Sequence, residues 1–174
     1  IAVTDHNAGD NVIAAQRAAK GSGISIFPGM EVETREEIHV LTIFDDLDAY
    51  RQWEAIIGLA MNGKKNNETR FGAQLVVDER DKLVKIKEEM LLAPITMSVE
   101  ETVLAASSLG GLCIASHVDK PSYSVISQLG FIPESLSFAA VGIMNMNQRE
   151  EFAKKNPSIN RYPYIASSDA HDMA

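Results

Sequence analysis

The sequence predicts an α/β fold built on a parallel sheet or barrel, and three observations carry that prediction. Short apolar runs alternate with stretches of helical spacing along the 174-residue chain. The composition, 45% hydrophobic and 23% charged, is that of an ordinary globular domain with a substantial core. Histidines and carboxylates recur just past the apolar runs, where parallel α/β folds collect their functional groups.

Ile1 to Val3 reads as the end of a buried strand, followed by the polar loop Thr4-Asp5-His6-Asn7. Asp10 to Lys20 carries Val12, Ile13, Ala15 and Ala19 at near-helical spacing, with Gly21 and Gly23 as the stop. Ile24 to Phe27 is a short strand closed by Pro28-Gly29, and Ile38 to Phe44 is a second, β-branched one. Asp45 to Met61 is predicted helical, with Asp45, Asp46 and Asp48 favouring its N-terminal end. Asn62 to Gly72 is a polar loop. Leu75-Val76-Val77 and Leu83-Val84 flank the charged turn Asp78-Glu79-Arg80-Asp81, which suggests a β-hairpin excursion at about 73–87. Ser98 and Glu101 form a capping box for a helix to about Leu109, stopped by Gly110-Gly111. Leu112 to Ala115 is a buried strand and Ser122 to Leu129 a short helix. Phe138 to Met144 is a strand, Gln148 to Lys155 a helix ending before Pro157, and Tyr164 to Ala166 the last strand. With no internal repeat, 1–174 is expected to be one domain.

No apolar run approaches the ~18–20 residues that a membrane-spanning helix requires, so no membrane partner is expected. The N-terminus lacks a basic-then-apolar leader, and Cys113 is alone, which fits a reducing, cytoplasmic setting. The net charge of −8 disfavours grip on nucleic acid through a broad basic surface. It leaves a nuclease open, because bound cations reverse the local field.

The chain has four histidines: His6, His39, His117 and His171. Three follow an apolar strand beside small or acidic residues, in Val3-Thr4-Asp5-His6, Ile114-Ala115-Ser116-His117 and Ser168-Asp169-Ala170-His171. His39 lies in the run Ile38 to Phe44, after the acidic stretch Glu31 to Glu37. One histidine at a strand end is more often hydrogen-bonded or at the surface than a ligand. All four, with at least two carboxylates, point to a polynuclear metal site, and imidazole with carboxylate suits Zn, Mn or Fe.

Thr4-Asp5-His6, Gly29-Met30-Glu31-Val32, Glu37-Ile38-His39-Val40, Ala115-Ser116-His117 and Ser168-Asp169-Ala170-His171 occur in the order of the motifs of the PHP (polymerase and histidinol phosphatase) family. The chain resembles that family over nearly its whole length. The resemblance implies a distorted (β/α)7, TIM-like barrel with two or three divalent metal ions at the strand C-termini. It implies that Glu31 bridges two metals, that His39 and His117 bind the second, Asp169 the first, and His6 and His171 the third. Glu31, His117 and Asp169 are the expected catalytic residues, Asp5 orients a neighbour, and Glu33 is expected at the surface or behind a ligand. The family's first motif, His-x-His, does not occur here, so the first strand–helix unit is expected in roughly 25–40 residues before Ile1, by the length of a βαβ repeat.

The implied activity is that of a metal-dependent phosphoesterase hydrolysing a phosphate ester with metal-activated water. The acidic charge leans towards a small phosphorylated substrate, with a nucleic-acid end and nuclease-type activity as the alternative. Another alternative is a non-catalytic module, as in PHP domains that have lost ligands. An amidohydrolase-like barrel is disfavoured because no lysine sits convincingly at a strand end. Lys120 and Arg35 are candidate phosphate contacts or else solvated surface charges. Ser122, Tyr123 and Ser124 line the pocket or start a helix. Cys113 reads as core packing, and Met144 and Met146 as core or strand-end filler.

Overall fold

The computed structural model of the protein describes residues 1–166 and Asp169. Along the chain run β1 (Ala2–Val3), α1 (Val12–Ala18), β2 (Phe27–Glu33), β3 (His39–Ile43), α2 (Leu47–Ala60) and α3 (Glu68–Phe71). They are followed by β4 (Gln74–Val77), β5 (Leu83–Lys87), α4 (Val99–Ser108), β6 (Leu112–Ala115), α5 (Val125–Leu129) and β7 (Ala140–Gly142). A 3-10 turn (Met146–Gln148), α6 (Arg149–Lys155), a second 3-10 turn (Pro157–Arg161) and β8 (Tyr164–Ile165) complete the described part.

Six strands form one sheet in the order β1-β2-β3-β6-β7-β8. Val3 near one edge and Ile165 at the other line the same cavity, so the sheet curls into a half-barrel. The closed seven-unit barrel implied by the resemblance goes beyond what these residues form. The sheet is also mixed, where a parallel one was expected. β3 runs antiparallel to both neighbours, with Glu33 opposite His39 on one side and Val40 opposite Ala115 on the other. Only five residues separate β2 from β3. That is too short for a helical crossover, so the pair closes as a hairpin. Glu37 makes the reversal in the left-handed region at φ 59°.

Pro28-Gly29 does not close a strand ending at Phe27, as the sequence suggested; β2 begins at Phe27 and runs through it. Gly29 is needed there because the backbones crowd. A Cβ would lie 2.8 Å from Thr4 Cγ2 and 3.1 Å from the carbonyls of Val3 and Thr42. The strand foreseen at Phe138 to Met144 shortens to β7. The helix foreseen from Ser122 starts at Val125, because Ser124 is its cap and accepts from Ser127 N. Within the loop foreseen at Asn62 to Gly72, Asn67 caps the single turn α3. The capping box of Ser98 and Glu101 is present on both sides.

Helix α2 presents Tyr50, Trp53, Ile57 and Ala60 to the core, at helical spacing. Trp53 Nε1 donates to Thr42 Oγ1 at 2.9 Å, and Thr42 Oγ1 donates to the Met30 carbonyl at 3.1 Å. Tyr50 Oη donates to the Gly29 carbonyl at 2.8 Å. The helix therefore fixes β2, just before Glu31, and β3 beside it by hydrogen bonds as well as packing. Cys113 is core, as foreseen: its thiol donates to the Val103 carbonyl, and burial pushes its pKa up to about 11.

The β4–β5 hairpin forms its own two-stranded sheet. Asp10 and Asn11 hold it to the loop after β1, while Asn7 ties that loop to the segment after the hairpin and to β2. Asn7 Nδ2 donates to the Leu91 and Ala93 carbonyls, and its Oδ1 accepts from Glu33 N. Asn11 pairs with the backbone of β4, donating to Leu75 O and accepting from Val77 N. Asp10 meets both Lys85 and Lys87 at 2.6 Å. No helix among the described residues is long and apolar enough to cross a membrane.

Candidate metal centre

The direction of β3 places the centre. Parallel strands bring their C-terminal ends to one rim; an antiparallel strand brings its N-terminal end there. Glu31 and Glu33 lie towards the end of β2, His39 starts β3, and His117 follows β6. His6 follows β1 and bridges to Glu31 in the parallel sense. Side chains alternate across a strand, so Glu31 and Glu33 share one face of β2. Their register partners Leu41 and His39 share the same face of β3.

Glu31 stands among three imidazoles. Its Oε1 is 3.4 Å from His39 Nδ1 and 3.5 Å from His117 Nε2, and those two nitrogens are 3.3 Å apart. Its Oε2 lies 3.7 Å from His6 Nε2. Ligand atoms of His6, Glu31 and His39 fall within 4.8 Å of one another, as do those of Glu31, His117 and Asp169. Around a cation with bonds of about 2.0–2.2 Å, tetrahedral ligands are about 3.3–3.6 Å apart. The triangle of Glu31 Oε1, His39 Nδ1 and His117 Nε2 has that edge length, so the donor set fits a divalent cation. The two carboxylate oxygens face different imidazoles, Oε1 those of His39 and His117 and Oε2 that of His6.

The second nitrogen of His39 faces Glu33 Oε2 at 3.7 Å, and Tyr123 stacks on the ring with centroids 4.8 Å apart. Metal-binding histidines are commonly held in this way by a carboxylate behind them. Glu33 is thus buried and in place behind a candidate ligand, not at the surface. Tyr123, which the sequence offers as a pocket-lining or helix-start residue, holds the ring. Its left-handed φ of 57° was the unreadable part.

Burial alone would raise the Glu31 pKa, but His117 and His39 outweigh it and hold the carboxyl well below its usual range. Burial alone would lower the His39 pKa; Glu31 and Glu33 outweigh it and push it up to about 9. Metal-free His39 is therefore protonated at neutral pH, whereas a ligand imidazole must be neutral. Metal uptake at pH 7 is expected to expel about one proton. Apparent affinity is expected to rise about tenfold per pH unit, levelling off near pH 9. Calorimetry in buffers of different ionisation enthalpy reads the proton count; a count near zero contradicts the assignment. The same shift stabilises the metal-free fold fully below about pH 6.5 and not at all above about 9. The Glu31 shift stabilises it above the ordinary carboxylate value of 4.5, a contribution lost as pH falls.

His6, Glu31, His39, His117 and Asp169 are therefore brought together, and His171 lies outside the described residues. Asp5 lines the cavity, where its Oδ2 accepts from Asn11 Nδ2 at 3.0 Å. Lys120 Nζ lies 3.3 Å from Asp169 Oδ2, within the site. Arg35 is exposed and turned to Glu36 and the Thr96 carbonyl, away from it. A cavity of about 710 Å³ opens beside the cluster, between it and the hairpin, with Leu41, Leu75 and Leu91 among its apolar walls.

No family model and no curated protein matches the sequence. Solved structures do match. A lesion-specific endonuclease Q from Pyrococcus furiosus superposes with a TM-score of 0.58 at 16% identity, over 86% of this chain and 32% of that one. An endonuclease Q complex with a 27-mer duplex carrying an abasic lesion at its active site gives a TM-score of 0.57, at the same identity and coverage. A protein named as a metal-dependent phosphoesterase, from Bifidobacterium adolescentis, gives 0.61 at 16% identity, over 98% of this chain and 77% of that one. At such identity the likeness is one of fold. The chain spans about a third of the length of the endonuclease Q chains.

Proposed function

We propose that the protein is a metal-dependent phosphoesterase of the PHP type, and that its half-barrel belongs to a distorted (β/α)7 barrel. The observation that carries this reading is the triangle of Glu31, His39 and His117, with His6 on the far oxygen of the same carboxylate. Two neighbours in fold, named as a metal-dependent phosphoesterase and a lesion-specific endonuclease, support hydrolysis of a phosphate ester.

In this reading Glu31 would bridge two cations, His39 and His117 would hold one of them, Asp169 would serve another beside Glu31 and His117, and His6 with His171 would serve a third. Divalent cations such as Zn, Mn or Fe supply Lewis acidity towards a phosphoryl group and acidify water. The chain's own residues arrange the rest. Glu33 and Tyr123 fix the His39 ring so that Nδ1 faces the centre. Lys120 offsets the charge of Asp169. The hairpin forms one wall of the cavity, through Gln74, Leu75, Val76 and Lys87.

The test is a panel of phosphomonoesters, phosphodiesters and oligonucleotide ends, assayed before and after chelation. Turnover is expected to vanish on chelation and to return with Mn or Zn. Full activity after confirmed metal loss would overturn the reading. Inactivity of the metal-loaded protein across the whole panel would move it to a non-catalytic module. Turnover of oligonucleotides alone would favour the nuclease form, to which the endonuclease likeness already points.

A further inference from the structure

We propose that the Ser116 hydroxyl is a substrate contact that binds a phosphoryl oxygen of the ester held at the Glu31 centre. The inference rests on the phosphoesterase reading. Ser116 is 2% exposed, and its Oγ has no hydrogen-bond partner among the described residues. Other buried serines are satisfied: Ser98 Oγ accepts from Glu101 N, and Ser124 Oγ donates to the Lys120 carbonyl. The other orphaned hydroxyl, that of Thr102, lies within helix α4 and not at the cavity. A buried hydroxyl without a partner costs stability, so its presence needs a reason.

Its position supplies one. Ser116 N donates to His39 O, which continues the ladder of β6 and β3 by one residue. Leu41 lines the cavity and pairs with Ile114, so alternation places Ile114 and Ser116 on the cavity face. Continued alternation would turn residue 117 away. Instead His117 adopts a left-handed φ of 27° and swings its ring back to Glu31. Ser116 and His117 thus both address the site, one as a neutral hydroxyl and one as a candidate ligand. Ser116 lines the cavity together with His6, Glu31 and Asp169. The carboxylates there repel an anion, and Lys120 is engaged by Asp169. An uncharged donor at the rim is what an incoming phosphoryl oxygen lacks. In the otherwise apolar end Leu112-Cys113-Ile114-Ala115, nothing in the packing calls for a hydroxyl.

Ser116→Ala tests this by two readouts whose signs differ from those of a structural serine. The first is the melting temperature of the metal-free protein, which is expected to hold or rise, because an unsatisfied polar group is removed. The second is binding of inorganic phosphate to the metal-loaded protein, measured well below the melting range with metal content checked. It is expected to weaken about tenfold, or about 1.4 kcal/mol. Unchanged phosphate affinity, or a melting temperature lowered by several degrees, overturns the assignment. A metal-loaded wild type that binds no phosphate overturns the phosphoesterase reading and this assignment with it. Wild-type binding matched by Ser116→Ala overturns only the assignment.

Discussion

Glu31→Ala is expected to empty the centre, lowering metal affinity by more than about 100-fold and hydrolysis to background. The mutation removes both oxygens that face His6, His39 and His117. Three imidazoles remain, with Asp169 beside His117 and Glu33 behind His39 as the carboxylates left near them. Glu33→Ala is expected to be milder. Glu33 faces the outer nitrogen of His39 rather than the centre, and loss of such a supporting carboxylate typically costs about 10–100-fold in affinity or activity. Elemental analysis of the two purified variants separates them: Glu33→Ala retains metal at saturating supply and Glu31→Ala does not. Equal stoichiometry would contradict the bridging role.

Trp53→Ala is expected to have the largest effect on stability, about 3–5 kcal/mol. Trp53 is fully buried and reaches through Thr42 to the Met30 carbonyl, beside Glu31. Truncation opens a cavity between α2 and the sheet and leaves the Thr42 hydroxyl without its donor. A domain stable by about 5–15 kcal/mol loses a large fraction of that. Trp53→Phe keeps most of the apolar volume and should lose markedly less. Denaturant midpoints read both; a Trp53→Ala loss under about 1 kcal/mol would show that α2 does not brace the strands.

Much of the site was legible because its residues follow apolar runs that could be read locally. His6 after Ile1 to Val3 and His117 after Leu112 to Ala115 are such cases. The direction of β3 was not legible, since an apolar run reads alike either way. The evidence lay in the short connection to β2. Pro28-Gly29 looked like a terminator, and only the crowding of Val3, Thr4 and Thr42 around Gly29 explains it inside a strand. Glu33 looked like one acid among several from Glu31 to Glu37; register with His39 made it a buried partner. The Asp10 contacts to Lys85 and Lys87 join residues 75 or more apart in sequence, and nothing local announces them. Left-handed φ at Asn7, His117 and Asp169 is a further feature of the rim, and it too is a property of the assembled structure.

The most direct measurement is anomalous scattering at the metal absorption edge from crystals of the full protein grown with Mn or Zn. A peak bonded to Glu31 Oε1, His39 Nδ1 and His117 Nε2 is expected, with a second on the Glu31 Oε2 and His6 side. Saturating metal with no peak at Glu31, or peaks only at surface carboxylates, would contradict the assignment of this cluster as the metal centre.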